Sequence, residues 1–177
     1  LADAEKIAQV NDFFNRNIRY TDDVTLWQKS DYWATPLETM GVRAGDCEDF
    51  TIAKYISLLE LGIPTEQLRL IYVRAQIGGA QSKRFQAHMV LGYYSSADAE
   101  PLILDNLISR IEPASKRPDL RPVFSFNSEG VFSGVSGQET KPAALTGRLS
   151  RWEELQDTIM YHAEMAGTLN SPTVFRL

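Results

Sequence analysis

The chain has 177 residues, 44% hydrophobic and 23% charged, which suits one buried core and excludes wholesale disorder. Eighteen Lys+Arg against 23 Asp+Glu leave a formal net charge of -5, and no basic run exceeds two residues, so the footprint of a nucleic-acid binder is absent. No apolar run is long enough to span a bilayer. One cysteine, Cys47, excludes an internal disulfide and a multi-thiolate zinc site, and two histidines, His88 and His162, exclude most His-rich metal centres. The N-terminal LADAEKIAQV lacks the charged-then-apolar pattern of a secretion signal, which leaves the compartment open.

Along the chain, Ile7, Val10, Phe13 and Phe14 line one face of a helix from Asp3 to about Asn17. Tyr20 to Gly45, with Trp27, Tyr32, Trp33 and Pro36, reads as an aromatic-anchored loop with a short helix near Pro36–Met40. A central helix is expected from Asp46 to about Leu61, apolar round much of its circumference and stopped by Gly62 and Pro64. Strands are expected at Leu68–Ala75, Gln86–Tyr94 and Pro101–Leu107, with a short one at Val123–Phe126. Ser133–Gly147 reads as a mobile loop. A last helix is expected from Ser150, capped by Ser150 and Glu153, with Trp152, Leu155, Ile159 and Ala163 on its buried stripe. The order predicts a single α+β domain: a helical lobe over 1–45, a core over 46–132, the loop over 133–147, and a C-terminal helix and tail over 148–177.

The chemistry centres on GDCEDF. Cys47 falls at the start of the central helix, where free amides and the helix dipole favour a thiolate over an ordinary thiol of pKa about 8.5. Its neighbours Asp46, Glu48 and Asp49 cap the helix well, but they oppose ionisation of the sulfur. A hard cation held by these carboxylates would relieve that conflict, and calcium suits an all-oxygen donor set. His88 lies mid-strand in QAHMVLGYY, and Asp105 follows three apolar residues in LILDNL. If the hairpin turns near Ala97, residues whose numbers sum to about 193 oppose one another, which pairs His88 with Asp105. A carboxylate there would orient the imidazole and leave its other nitrogen for the thiol. His162, in the last turn of the final helix, reads as structural or solvated.

GDCEDF, LGIP, AHMVL, LILDN and the closing RLSRW, in that order over nearly the whole chain, resemble the bacterial transglutaminase-like cysteine proteinases. The resemblance implies a papain-like or transglutaminase-like core, with Cys47 as nucleophile, His88 as base and acid, and Asp105 as orienting carboxylate. It also implies calcium dependence, with Asp46 and Glu48 as the best-matched ligands and Asp49 beside them. Adhesin-cleaving members of the family are periplasmic after loss of a signal peptide. They cut a large surface adhesin near its N-terminus at paired alanines and so disperse biofilm. An inner-membrane cyclic di-GMP receptor sequesters them. The same residues would serve transglutaminase-type acyl transfer to amines, and a non-catalytic calcium-dependent binding module is the reading from another class. Trp33 is considered as a second oxyanion donor, against simple packing, and Pro142-Ala143-Ala144 as an internal echo of the substrate.

Overall fold

A computed structural model describes residues 1–133 and 146–165. The expected loop around Pro142-Ala143-Ala144 lies outside them, as does the His162 side chain. Helix α1 (Asp3–Asn17) leads into a two-stranded parallel pair, β1 (Arg19–Tyr20) and β2 (Ala44–Gly45). Between these strands lie α2 (Asp23–Trp27) and α3 (Pro36–Val42), and after them α4 (Cys47–Glu60). Six antiparallel strands follow: β3 (Leu68–Ile77), β4 (Arg84–Tyr93), β5 (Leu102–Leu104), β6 (Glu112–Pro113), β7 (Leu120–Phe126) and β8 (Val131–Ser133). Their order across the sheet is β6-β5-β4-β3-β7-β8, and α5 (Thr146–Met165) closes the described chain. This is the expected α+β architecture, a helix bearing Cys47 packed on an antiparallel sheet. No helix among the described residues is long and apolar enough to cross a membrane.

Helix α4 is central because almost its whole surface is buried, from Phe50 and Ile52 to Leu58 and Leu59. One side rests on β4 and β3 through Met89, Leu91 and Leu70, and the other on α1 through Ile7, Val10 and Phe14. Phe13, expected on that buried face, is 49% exposed, since Asn11 takes the inward place instead. The opposite face of the sheet carries a smaller cluster of Ile71, Val73, Val90 and Ile103.

Several boundaries differ from expectation for local reasons. β3 and β4 run longer and close over Gly78 and Gly79, whose φ values of 94° and 92° suit glycine. β5 stops at Leu104 because Asp105 turns the chain out of the ladder, its Oδ1 accepting the Leu107 N–H at 3.0 Å. The β4–β5 register pairs Leu91 with Leu104, two residues away from the expected alignment. Asp105 therefore does not directly oppose His88, but an even shift keeps both on one face. α2 replaces part of the expected loop, too short to show a period, with Asp22 capping it through the Thr25 N–H at 2.8 Å. α5 starts at Thr146, so Ser150 lies inside it rather than at its cap; Trp152 and Leu155 are buried as expected.

The end of α4 is as read. Gly62 adopts φ 84°, its N–H reaches the Leu59 carbonyl at 2.9 Å, and the Ile63 N–H reaches the Leu58 carbonyl at 3.0 Å. This is a Schellman cap sealed by buried Ile63 and Leu58. A Cβ at Gly62 would meet open space, so the cost of Gly62→Ala is purely conformational. Urea unfolding is expected to show a loss of about 1–2 kcal/mol. An unchanged midpoint would refute the cap's contribution.

Candidate active site

The helix start that carries Cys47 is fixed by a capping box. The Asp46 carboxylate accepts the N–H groups of Glu48 and Asp49, and Asp49 returns a bond to the Asp46 N–H at 3.2 Å. Cys47 is only 8% exposed. Its thiol donates to Glu48 Oε2 at 2.8 Å, and Glu48 Oε1 accepts the Tyr72 hydroxyl at 2.9 Å. Burial first, then the Glu48 charge and hydrogen bond and the Asp46 charge, push the thiol well above its ordinary pKa, against a smaller downward pull from the Met89 N–H. Burial, together with the acids beside the sulfur, thus outweighs the helix dipole, which alone would favour a thiolate.

The first turn of α4 meets β4 at the residue after His88. Thr51 Oγ1 donates to the carbonyls of Cys47 and Met89, at 2.8 and 3.1 Å. The first turn of α4 therefore touches β4 one residue past the one that bears the imidazole. β5 pairs with β4 only over Leu91–Tyr93, which leaves this end of β4 open on that edge. His88 and Asp105 are fully buried and joined, Nε2 to Oδ1, at 2.7 Å. Asp105 is held down to about 2: burial opposes ionisation, but His88, the Leu107 N–H and Arg117 outweigh it. With the carboxylate ionised, the ring proton belongs on Nε2 and Nδ1 is left free of Asp105.

Three carboxylates converge beside the cysteine: Asp23, Asp46 and Asp49 each offer an oxygen, all within 4.8 Å of one another. Asp23 comes from the start of α2 and carries no signal in the sequence, while Glu48 accepts the Cys47 thiol and the Tyr72 hydroxyl. Asp23 Oδ2 accepts the Tyr32 N–H, but its buried Oδ1 finds no donor among the described residues. Asp49 is bound by the Ala34 N–H at 2.9 Å and is completely buried. Burial and mutual repulsion push Asp46 up to about 9 and Asp49 up to about 7. An unpartnered oxygen among crowded acids that resist ionisation is the donor set a hard cation satisfies. Gly45 is what lets the cluster close, since a Cβ there would fall 2.7 Å from Asp49 Cβ. Trp33 stacks on Phe126 with its rings 6.0 Å apart, and its indole N–H donates to Asp31 at 3.1 Å. That is the packing role rather than oxyanion donation.

A second polar group lies behind the pair. Lys54, 1% exposed on α4, donates to Asn11 Oδ1 and Asn15 Oδ1, both at 2.8 Å, and the Asn15 amide donates to the Asp105 carbonyl at 2.8 Å. Burial lowers the Lys54 pKa to about 7, opposed by the Asp105 charge.

With this geometry in place, the class of protein follows from comparison. Residues 2–119 match the bacterial transglutaminase-like cysteine proteinases, and the chain belongs to that family; it is a cysteine protease whose substrate is a protein. Among solved structures it is similar to Legionella pneumophila LapG, at 39% identity over 87% of this chain and 77% of that one, with a TM-score of 0.70. The EGTA-treated form of the same protein matches at 39% identity over the same shares with a TM-score of 0.73. Its calcium-bound form matches at 38% identity over 88% and 80%, also with a TM-score of 0.73. No curated protein sequence matches.

The buried lysine makes a pH prediction. Between about pH 7 and the ordinary lysine value of 10.5 the unfolded chain holds a proton at Lys54 that the folded chain does not. This group therefore makes stability rise with pH across that window. Denaturant unfolding from pH 7 to 10 is expected to show a more positive slope in wild type than in Lys54→Met, approaching about 1.4 kcal/mol per pH unit. Equal slopes would show that Lys54 stays charged in the fold.

Proposed function

We propose that the protein is a calcium-dependent periplasmic cysteine endopeptidase. On this reading it cleaves a large surface adhesin near its N-terminus at a paired-alanine site, and a LapD-like inner-membrane cyclic di-GMP receptor holds it in check. The observation that carries the catalytic part is the buried His88–Asp105 pair at 2.7 Å, next to a cysteine whose helix start abuts the same strand. Family membership and likeness to LapG support the peptidase reading. Adhesin, receptor and compartment rest on the resemblance in GDCEDF, AHMVL and LILDN.

Asp105 holds the Nε2 proton, so Nδ1 of His88 is the base. It takes the thiol proton of Cys47, replacing Glu48 as that proton's acceptor, and the thiolate attacks the scissile carbonyl. The tetrahedral oxyanion is met by the Cys47 backbone N–H at the start of α4. His88 then gives its proton to the leaving amine, and water hydrolyses the thioester. Asp23, Asp46 and Asp49 would hold calcium, whose positive charge would offset the acids that, together with burial, keep the thiol protonated. Likeness to the calcium-bound and EGTA-treated forms of LapG supports this assignment.

Incubated with an N-terminal adhesin fragment, wild type is expected to produce a new peptide terminus by mass spectrometry rather than an amine adduct. Cys47→Ala and His88→Ala are expected to fall to background, a loss of at least about a thousandfold, with the fold intact. Cleavage by Cys47→Ala would end the assignment.

A chelator is expected to abolish cleavage, calcium to restore it, and magnesium to restore little, because it demands a smaller octahedral site. Calcium at a hundredfold excess over its Kd is expected to stabilise wild type by about 2.7 kcal/mol. Asp23→Asn should lose most of that gain and Glu48→Gln should keep it. The reverse pattern would put Glu48, not Asp23, in the metal shell.

A further inference from the structure

Asp105 is held from two sides, by His88 at one oxygen and by Arg117 at the other. Its Oδ1 takes the His88 Nε2–H at 2.7 Å and the Leu107 N–H at 3.0 Å, while Oδ2 takes Arg117 Nη2 at 2.8 Å. Arg117 is 4% exposed, buried beside the apolar cluster of Ile71, Val73, Val90 and Ile103. It is held in turn by Asp119, which accepts from Nε at 3.0 Å and from Nη2 at 2.8 Å. Its backbone is anchored by a 3-10 turn over Ala114–Lys116, where the Arg117 N–H donates to the Ala114 carbonyl at 3.0 Å.

We infer that Arg117 is a positioning residue for the reaction: it holds Oδ2 so that Oδ1 faces His88, keeps the carboxylate anionic, and so determines which imidazole nitrogen is left for the thiol. The inference rests on the reading of His88 as the base. A buried carboxylate with one bare oxygen rotates to find a donor or takes up a proton. A protonated Asp105 could donate to the imidazole and reverse its tautomer. An arginine suits the place because its planar fork meets two carboxylates at once, which an ammonium cannot do with the same geometry. Among the described residues, the titratable groups around Asp105 are His88 on β4, Arg117 with its partner Asp119 ahead of β7, and Lys54 on α4, whose amine interacts with the Asp105 charge. Lys54 reaches Asp105 only through Asn15 and its backbone carbonyl, so Arg117 is the cation that sets the carboxylate plane.

The test uses Arg117→Met, Arg117→Lys and Asp119→Asn in the full chain with calcium, against wild type and Cys47→Ala. On the adhesin fragment, Arg117→Met is expected to lower kcat on the order of 10- to 100-fold with little change in KM. Arg117→Lys should recover part of that loss, and Asp119→Asn should show a weaker loss of the same kind. By NMR, the His88 Nε2–H proton should leave its downfield position in Arg117→Met, and the Asp105 carboxyl carbon should titrate at higher pH than in wild type. His162→Gln assigns the ring proton, since the chain has two histidines. A folded Arg117→Met with wild-type kcat and an unmoved His88 proton would overturn the inference. If that variant does not fold, wild-type kcat and carboxyl titration in both Arg117→Lys and Asp119→Asn would overturn it. If Cys47→Ala cleaves as wild type does, the endopeptidase reading fails instead, and the two NMR signals still decide whether Arg117 governs the pair.

Discussion

Buried negative charge is the constraint around which this site is built. A carboxylate removed from water must find donors, a cation or a proton, and the molecule meets that demand in two ways. Asp105 is matched within the chain: His88, the Leu107 N–H and Arg117 surround it, and it stays ionised despite complete burial. Asp23, Asp46 and Asp49 are not matched. Backbone N–H groups satisfy part of each, yet Asp46 and Asp49 are driven toward their neutral forms and one oxygen of Asp23 finds no donor among the described residues. The matched acid suits orientation of an imidazole, and the unmatched acids suit a cation.

The contrast also explains the state of the thiol. Dipole and capping arguments treat a helix start as a place for anions, and α4 uses that capacity on Asp46 and Asp49 rather than on sulfur. Glu48, adjacent in sequence, then takes the thiol proton as a hydrogen bond. The fold thus holds the Cys47 thiol in its protonated form beside a cluster that a positive charge would relax.

Much of this was legible in the sequence because it depends on short-range patterns. The apolar run through Phe50, Ala53 and Leu58, ended by Gly62, marks a buried helix with a left-handed cap, and LRLIYVRA and QAHMVLGYY mark paired strands. Asp105 stood out as an acid at the end of an apolar strand. Other parts were hidden because their signals are ordinary. Asp23 sits in a polar stretch that resembles any loop, and only the return of the chain through Tyr32 and Ala34 brings it to Asp46 and Asp49. Arg117 reads as a surface charge between Lys116 and Pro118. Lys54 left a usable clue, a lone cation on a helix apolar all round, which required a buried partner. The direction Glu48 takes, toward Cys47 and Tyr72, was hidden too, because adjacency in sequence does not say where a side chain points: along a helix, successive residues diverge by about 100°.

By itself the sequence determined the class of fold, the helix that carries Cys47, the strands that carry His88 and lead to Asp105, and the family, because hydrophobic period, caps and motif order are local properties of the chain. Only the tertiary structure decided the two-residue register between β4 and β5, the partner of the thiol, which acids share one space, and the arginine behind Asp105. These depend on distances between segments remote in sequence. In a close-packed interior such distances are set by the whole core at once, not by the residues that happen to be neighbours along the chain.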